Sequence, residues 1–131
     1  MLTIDRLCYD DMIGHLQAVY PQEGCGLLAG SHGRAHRHYP ITNVHHSTTH
    51  YLMDAQEQIE AMLEIEREGL SLLAIYHSHP HTDPYPSETD VTAAAYPDAA
   101  YIIVSFQNEK PAVASFFIRH GQIIPTTLSL S

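Results

Sequence analysis

The segment over residues 77–90 concentrates the side chains that are best suited to chemistry in this 131-residue chain. It contains His-x-His at His77 and His79, followed after seven residues by Ser-x-x-Asp, which ends at Asp90. Side chains two residues apart on an extended strand point to the same side, so the two imidazoles can face one point. Two imidazole nitrogens at ~2.0–2.1 Å from an ion are the usual start of a zinc site. The spacing therefore predicts a metal site at this position.

A catalytic zinc takes three protein ligands and leaves one position for water, so the pattern needs a third donor. Asp90 can supply it, because the loop over residues 80–86 reverses the chain and places Ser87 and Asp90 one helical turn apart. Ser87 then faces the open position. Each half of the pattern has a simpler explanation: His-x-His is often a solvent-facing pair, and Ser-x-x-Asp is a common helix-capping box. Their combination favours the metal site.

The other histidines and the cysteines are weaker candidates. Two further histidine groups lack a carboxylate at ligand spacing; they are His32, His36, His38 and His45, His46, His50. Cys25 raises the hypothesis of a nucleophile, but a cysteine within Gly-Cys-Gly-Leu-Leu on an apolar strand is more often buried and inert. The chain contains neither H-E-x-x-H nor H-x-E with P-C-x-x-C, so helical zincins and nucleobase deaminases are excluded.

The elements that carry these residues follow from hydrophobic periodicity and turn residues. Helices are predicted over residues 10–20, 54–69 and 87–95, the first capped by Asp10 or Asp11. Strands are predicted over residues 24–30, 34–44, 51–53, 70–76, 101–106, 112–118 and 122–126. The segment 34–44 contains Pro40, which favours one or two edge strands over a central one.

Two of these elements are the most informative. Asp54 and Glu57 form a capping-box signature at the start of the second helix, whose apolar face is predicted to contain Ile59, Met62 and Leu63. The strand over residues 70–76 is apolar on both faces, which indicates a strand covered on both sides. Together the elements predict one α+β domain over residues 1–131, an α/β/α sandwich around one curved mixed sheet.

The composition excludes several classes of function. Hydrophobic residues make up 44% of the chain and charged residues 16%, which is typical of a globular domain. With six Lys and Arg and a formal charge of −9, the chain is unsuited to binding nucleic acid through phosphates. The amino terminus develops no signal-type apolar core, and no apolar run approaches the ~20 residues that span a bilayer. We expect a soluble, cytoplasmic protein with no membrane partner.

With Glu23, the pattern resembles the JAMM motif of the Mov34/MPN/PAD-1 metalloprotease family. The upstream element reads Pro-Gln-Glu-Gly-Cys-Gly-Leu-Leu over residues 21–28, and the core runs from His77 to Asp90 with the family's proline at Pro80. The match extends from Glu23 to Asp90 by motif and over nearly the whole chain by element order. The chain has no room for the long insertions that large deubiquitinases use to bind ubiquitin, which favours a small prokaryotic-type member.

The resemblance implies a JAB1/MPN fold, in which helices flank a curved sheet in a cytidine deaminase-like arrangement. It implies that Zn²⁺ is bound by His77, His79 and Asp90. It also implies that Glu23 is the general acid/base and that Ser87 stabilises the developing oxyanion.

The same resemblance implies cleavage after the C-terminal diglycine of ubiquitin or of a ubiquitin-like protein. A chain of this size favours a ubiquitin-like sulfur carrier, either trimmed at its carboxyl terminus or freed of an added cysteine. The expected walls of the substrate channel are the loop 80–86, with Tyr85 as its largest side chain, and the segment from Asn43 to Tyr51. Two alternatives stay open: a zinc hydrolase of a small amide and a non-catalytic MPN scaffold. The sequence predicts no oligomeric state.

Overall fold

The computed structural model describes residues 2–131, which form one eight-stranded mixed sheet and three helices. The strands are β1 (Leu2–Ile4), β2 (Cys25–Ser31), β3 (Arg34–Ile41), β4 (Ser71–His79), β5 (Ala100–Ser105), β6 (Ala112–Arg119), β7 (Gln122–Thr126) and β8 (Leu128–Leu130). The helices are α1 (Arg6–Val19), α2 (Ala55–Arg67) and α3 (Glu88–Ala93). Across the sheet the strands lie in the order β7-β6-β5-β4-β2-β3-β1-β8.

Strand β4 lies in the middle of this sheet, antiparallel to β2 and parallel to β5. Its side chains alternate between two hydrophobic clusters. The cluster on the α1 side includes Tyr76 together with Met12 and Leu16. The cluster on the α2 side includes Ile75 together with Ile65. Because β4 is covered on both faces, the prediction of a doubly buried strand is confirmed, and the predicted α+β class is observed.

The first helix begins earlier than predicted. It starts at Arg6 with Asp5 at the N-cap position, not at Asp10 or Asp11, and the Asp5 side chain makes no capping hydrogen bond. The apolar stripe that faces the sheet extends back to Cys8 at a four-residue step from Met12. The burial of this stripe, and not a capping side chain, sets where the helix begins.

The second helix begins as predicted but faces the sheet differently. The Asp54 carboxylate accepts a hydrogen bond of 2.9 Å from the backbone N–H of Glu57. The predicted face is wrong for Ile59 and Leu63, which are 56% and 53% exposed, whereas Met62 packs against the cluster on the α2 side. The buried residues are Ala61 and Ile65, which are one helical turn apart. Apolar residues lie on two sides of this helix, so hydrophobic periodicity did not determine which side faces the sheet.

Three strand predictions also need correction. Strands β1 and β8 were not predicted; they pair in parallel with each other through three residues each. The segment 34–44 forms one strand that ends at Ile41 and lies between β2 and β1. Because β1 pairs only with Arg34 and Ala35, the stretch containing Pro40 lies beyond this pairing, where a proline is tolerated. Residues 51–53 form no strand, although Asn43 and Met53 make an isolated bridge.

Within residues 2–131, no helix has both the length and the apolar character needed to cross a membrane.

A partly buried polar contact joins β3 to β4 across β2. The Tyr76 hydroxyl lies 2.6 Å from Nε2 of His38. Between these two strands lies Gly26, where a Cβ would collide with the Tyr76 ring and hydroxyl. Burial lowers the pKa of His38 from 6.5 to about 4, and the charge of the nearby His15 makes a smaller contribution in the same direction. The folded protein therefore holds His38 neutral at neutral pH.

This contact predicts a loss of stability in mild acid. The unfolded chain binds a proton at His38 below about pH 6.5, whereas the folded chain does so only near pH 4. The free energy of unfolding should therefore fall as the pH is lowered through this window. His38→Gln can still hydrogen-bond Tyr76 but does not titrate, so its dependence on pH should be shallower. Urea denaturation at several pH values measures this difference.

His36→Gln is the matched control, because His36 is an exposed side chain on the same strand. It should keep the wild-type dependence on pH. Equal profiles for wild type and His38→Gln would contradict the assignment.

Candidate metal centre and catalytic residues

The carboxyl-terminal end of β4 positions the first two candidate ligands. His77 pairs with Cys25 on β2 and with Ile103 on β5, so its backbone is held on both sides. His77 and His79 lie on the same face of the strand and are both buried, with His77 only 1% exposed. Their Nε2 atoms are 3.1 Å apart. The predicted convergence of two imidazoles on one point is observed.

The third candidate ligand comes from the start of α3. Ser87 is the N-cap residue, and its hydroxyl accepts a hydrogen bond of 3.1 Å from the backbone N–H of Asp90. In return, Oδ2 of Asp90 accepts a hydrogen bond of 2.9 Å from the backbone N–H of Ser87. The same Oδ2 lies 3.1 Å from Nε2 of His77 and 3.1 Å from Nε2 of His79. The capping box therefore also presents the carboxylate to the imidazoles.

These three atoms form a triangle with equal sides of 3.1 Å. Ligand atoms at ~2.0–2.1 Å from a common tetrahedral centre are about 3.3–3.4 Å apart, so the triangle has nearly the size that zinc requires. Among residues 2–131, His77, His79 and Asp90 are the one group of three such side chains whose ligand atoms lie within 4.8 Å of each other. The donor set of two nitrogens and one carboxylate oxygen fits a metal ion.

The loop after β4 fixes the protonation of His79. Its Nδ1 lies 2.7 Å from the backbone carbonyl oxygen of Asp83. A carbonyl can only accept a hydrogen bond, so Nδ1 carries the proton and neutral His79 presents a lone pair at Nε2. The loop is held in turn by the Ser105 hydroxyl, which donates to the Thr82 carbonyl, and by the Gln107 amide, which donates to the Asp83 carboxylate. Such a second layer of contacts is typical of metal-binding histidines.

Burial and mutual contact shift the pKa values of all three groups. Burial lowers the pKa of His77, whereas the nearby Asp90 carboxylate and the Asp83 carbonyl outweigh burial and raise the pKa of His79. Burial by itself would raise the pKa of Asp90, but the two adjacent imidazoles and the Ser87 N–H hold the pKa of this carboxyl well below its usual range. The carboxylate therefore stays ionised and can bind a cation.

Glu23 lies just before β2, next to this triangle, and its side chain is buried with 4% of its surface exposed. Burial raises its pKa to about 7, while the charge of His79 lowers this pKa and the charge of Asp90 raises it by smaller amounts. Its Oε1 is buried and has no hydrogen-bond partner within the described part of the chain. A carboxyl group with a pKa near neutrality can both accept and donate a proton at neutral pH.

The backbone around Glu23 is anchored to two parts of the chain, the segment 43–53 and strand β4. The N–H of Glu23 donates to the Ser47 carbonyl at 2.7 Å, and its carbonyl accepts from the Asn43 amide at 3.0 Å. The next residue, Gly24, donates its N–H to the Ser78 hydroxyl at 2.9 Å. Ser78 stands between the two candidate ligand histidines, so β4 holds both the ligands and the chain beside Glu23.

Sequence reasoning missed several side chains that support the site. The Tyr51 ring packs on the His77 ring with centroids 4.6 Å apart. Asn43 and Ser78 make the anchoring bonds described above. Ser78 lies between the two histidines of the motif, so the sequence could have placed it near the site. Asn43 and Tyr51 lie in a segment without periodicity, so no local signal placed them beside His77.

The remaining sequence candidates have other roles. The Cys25 thiol donates to the Ile41 carbonyl, and burial raises its pKa to about 12, so it is not a thiolate. Tyr85 is 54% exposed and packs edge-on against Phe116. It lines a surface groove of about 500 Å³ that also contains Ser87. In the two other histidine groups, His38 contacts Tyr76, and the other five side chains are exposed.

The chain is similar to proteins of known families. A model described as prokaryotic homologs of the JAB domain matches residues 6–119. The CysO-cysteine peptidase of Mycobacterium tuberculosis is 44% identical over 107 residues, which cover 80% of this chain and 73% of that protein. The probable TtuB-protein conjugate cleaving protease of Thermus thermophilus is 38% identical over 123 residues, which cover 93% and 79% of the two chains.

Solved structures show the same architecture. A protein from Desulfitobacterium hafniense superposes with a TM-score of 0.89 at 32% identity, over 100% of this chain and 93% of that one. A JAB1/MPN domain protein from Archaeoglobus fulgidus superposes with a TM-score of 0.64 at 18% identity, over 99% and 97% of the two chains. The second likeness concerns the fold alone. The predicted JAB1/MPN-like fold is confirmed.

The hydrogen bond between Gly24 and Ser78 predicts an effect on stability. Ser78→Ala leaves a buried N–H without a partner, which should lower the free energy of unfolding by ~1–3 kcal/mol. Ser115→Ala is the matched control, because the Ser115 hydroxyl is buried and has no hydrogen-bond partner in residues 2–131. That variant should stay within ~0.5 kcal/mol of wild type. Chemical denaturation of both variants compares them, and equal losses would argue against a special role for the Ser78 hydroxyl.

Proposed function

This chain belongs to the family of prokaryotic homologs of the JAB domain, and we propose that it is a zinc-dependent peptidase acting on ubiquitin-like or sulfur-carrier proteins. It is a hydrolase, because its relatives are named as a peptidase and a protease. Its fold is that of JAB1/MPN domains. We propose that it cleaves the bond after the C-terminal diglycine of such a carrier. Three such bonds are candidates: one to an added cysteine, one to a peptide extension and one to a lysine of another protein.

One observation carries the proposal: three donor atoms lie 3.1 Å from each other beside a buried carboxyl group that has no partner for its Oε1. We propose that His77, His79 and Asp90 hold Zn²⁺ and that Glu23 moves the proton. A zinc ion at this position would polarise the scissile carbonyl and bring the pKa of a water molecule to about 7.

The carboxyl group of Glu23 is suited to take the proton of the attacking water and later to return it to the leaving amine. Both steps need a group whose pKa lies near the working pH, and burial raises the pKa of Glu23 to about 7. The absence of a partner at Oε1 leaves this atom available to the reactants. The assignment of Glu23 as general acid/base rests on this combination.

Ser87 is suited to stabilise the oxyanion that develops on the scissile carbonyl. Its oxygen accepts the Asp90 N–H, which uses a lone pair and leaves the hydroxyl hydrogen free to donate. A donor fixed at a helix start costs little reorganisation during the reaction. We propose that this hydroxyl donates to the substrate oxygen.

We propose that the carrier's tail lies extended between the loop 80–86 and the segment from Asn43 to Tyr51. The contact between the Tyr51 and His77 rings supports the second wall. Strand β4 is flanked by β2 and β5, so the sheet itself offers no free edge beside the ligands. The segment 43–53 makes its own antiparallel contact, with Val44 N–H donating to the Leu52 carbonyl at 2.9 Å. Its backbone is suited to pair with an extended tail.

We place this reaction in the cytoplasm. Both cysteines, Cys8 and Cys25, are free and buried, which agrees with a reducing compartment.

The proposed roles predict a separation between metal binding and turnover. Wild type should contain about one zinc per chain. His77→Ala and Asp90→Ala should lose the metal, since each removes one of three donors. Glu23→Gln should keep the metal but lose activity by about 10²–10⁴-fold, because an amide cannot carry the proton. Ser87→Ala should keep the metal and lose about 10²–10³-fold.

Elemental analysis of protein never exposed to a nickel column measures the metal, and cleavage of a carrier fusion measures turnover. Metal-free wild type would refute the zinc proposal. Substantial activity of Glu23→Gln would refute the role of Glu23.

The tail channel predicts a requirement for glycine. Two residues without side chains can pass a narrow channel, whereas a Cβ would collide with its walls or shift the scissile carbonyl. A carrier extended beyond its diglycine should therefore be cut after the second glycine, and replacing that glycine by alanine should slow the reaction by about 10²-fold. Mass spectrometry of the products locates the cut. Equal cleavage of the alanine carrier, or cleavage only of short peptides without the folded carrier, would favour a small-amide hydrolase instead.

A further inference from the structure

We propose that Asn43 is a positioning residue for catalysis, because its side chain fixes the backbone of Glu23 to the segment 43–53. The inference rests on the proposed role of Glu23 as general acid/base. It concerns a residue that contacts none of the candidate metal ligands through a hydrogen bond in the structure.

The Asn43 side chain is buried and uses its full hydrogen-bonding capacity. Its amide nitrogen donates to the Glu23 carbonyl at 3.0 Å and to the His50 carbonyl at 3.1 Å. Its amide oxygen accepts from the backbone N–H groups of His45 and Leu52, each at 3.1 Å. One planar group thus joins Glu23 to three points of the segment 43–53.

The backbone of Glu23 has few other constraints. It lies two residues before β2 and so outside the ladder of the sheet. Its N–H donates to the Ser47 carbonyl and its carbonyl accepts from Asn43, so both of its peptide groups depend on the same segment. The Glu23 carboxyl has no partner at Oε1 that would orient it. The position of this carboxyl is therefore set through the backbone.

The four hydrogen bonds of the Asn43 side chain form a clamp on the Glu23 backbone, and this clamp requires an amide. The four contacts need two donors and two acceptor positions, and among side chains only Asn and Gln supply both from one planar group. Gln is longer by one methylene and would displace the contacts. A buried side chain with all four positions satisfied is expensive to replace, because each lost bond leaves a buried partner unpaired.

The clamp also links substrate binding to catalysis. The segment it holds carries Tyr51, whose ring packs on His77, and forms a proposed wall of the tail channel. A tail bound along this segment contacts the element that fixes Glu23. Misplacement of a reacting group by about 1 Å can cost ~10²-fold in rate, so loosening the clamp should lower kcat even where the substrate still binds.

The discriminating variant is Asn43→Asp. A carboxylate keeps an oxygen that accepts from His45 and Leu52, but it has no hydrogen to donate to the Glu23 and His50 carbonyls. Asn43→Ser, which cannot make the set of four contacts, is the second variant. Asn108→Asp is the matched control, because it makes the same change of an amide to a carboxylate at an exposed residue between β5 and β6.

In zinc-loaded protein with a carrier fusion as substrate, both Asn43 variants should lower kcat by about 10–100-fold. The zinc content should stay at one per chain, because the metal ligands are retained, and any rise in KM should be smaller than the fall in kcat. Asn108→Asp should keep kcat within about threefold. An unchanged kcat, a rise in KM alone, or loss of zinc from both Asn43 variants would overturn the proposal. Failure of both variants to fold would assign Asn43 to folding and would overturn it as well.

Backbone hydrogen exchange gives a readout that does not depend on activity. In the Asn43 variants the Glu23 amide should exchange about tenfold faster than in wild type, because its bond to Ser47 is weakened. The Gly24 amide is the internal control, since it donates to Ser78 and should change little. Unchanged protection of Glu23 would overturn the proposal. A wild-type protein that cleaves no carrier would refute the proposed function, whereas the exchange measurement would still test the anchor.

Discussion

The main constraint on the structure is the close contact of two imidazoles and one carboxylate in a largely buried site. Their three facing atoms lie only 3.1 Å apart, and buried polar groups at such distances are costly unless each finds a partner. Sheet pairing holds His77 from both sides and His79 from the β5 side, and the Asp83 carbonyl fixes the proton on His79. A cation would complete this arrangement, because the three facing atoms have more lone pairs than hydrogens to share between them.

The capping box at α3 shows that a structural role and a chemical role can belong to the same atom. Oδ2 of Asp90 accepts the Ser87 N–H and also faces both imidazoles. A carboxylate oxygen has more than one lone pair, so the two roles do not compete. The helix is only six residues long, too short to be stable by itself, and its start is held to the end of β4 through this contact. The capping explanation of Ser-x-x-Asp is confirmed, and it is compatible with the proposed role of Asp90 as a metal ligand.

The proposed acid/base is held in a different way from the ligands. The histidines belong to a central strand, whereas Glu23 precedes its strand and is fixed by contacts with Ser47, Asn43 and, through Gly24, with Ser78. A rigid ligand set beside a separately anchored proton carrier suits a hydrolase in which the metal must stay in place. The segment that anchors Glu23 also borders the ligands, so the same loop can respond to a bound tail.

The sequence by itself determined the doubly buried strand, the histidines at its end, the capping of α2 and α3, and the family through its motif. These features depend on periodicity and hydrogen bonds over a few residues. Only the tertiary structure decided the rotation of α2, the pairing of β1 with β8, and the contacts of Asn43 and Tyr51 with the site. Asn43 is 20 residues from Glu23 and Tyr51 is 26 residues from His77. Such contacts depend on how the whole chain packs, and no local pattern encodes them.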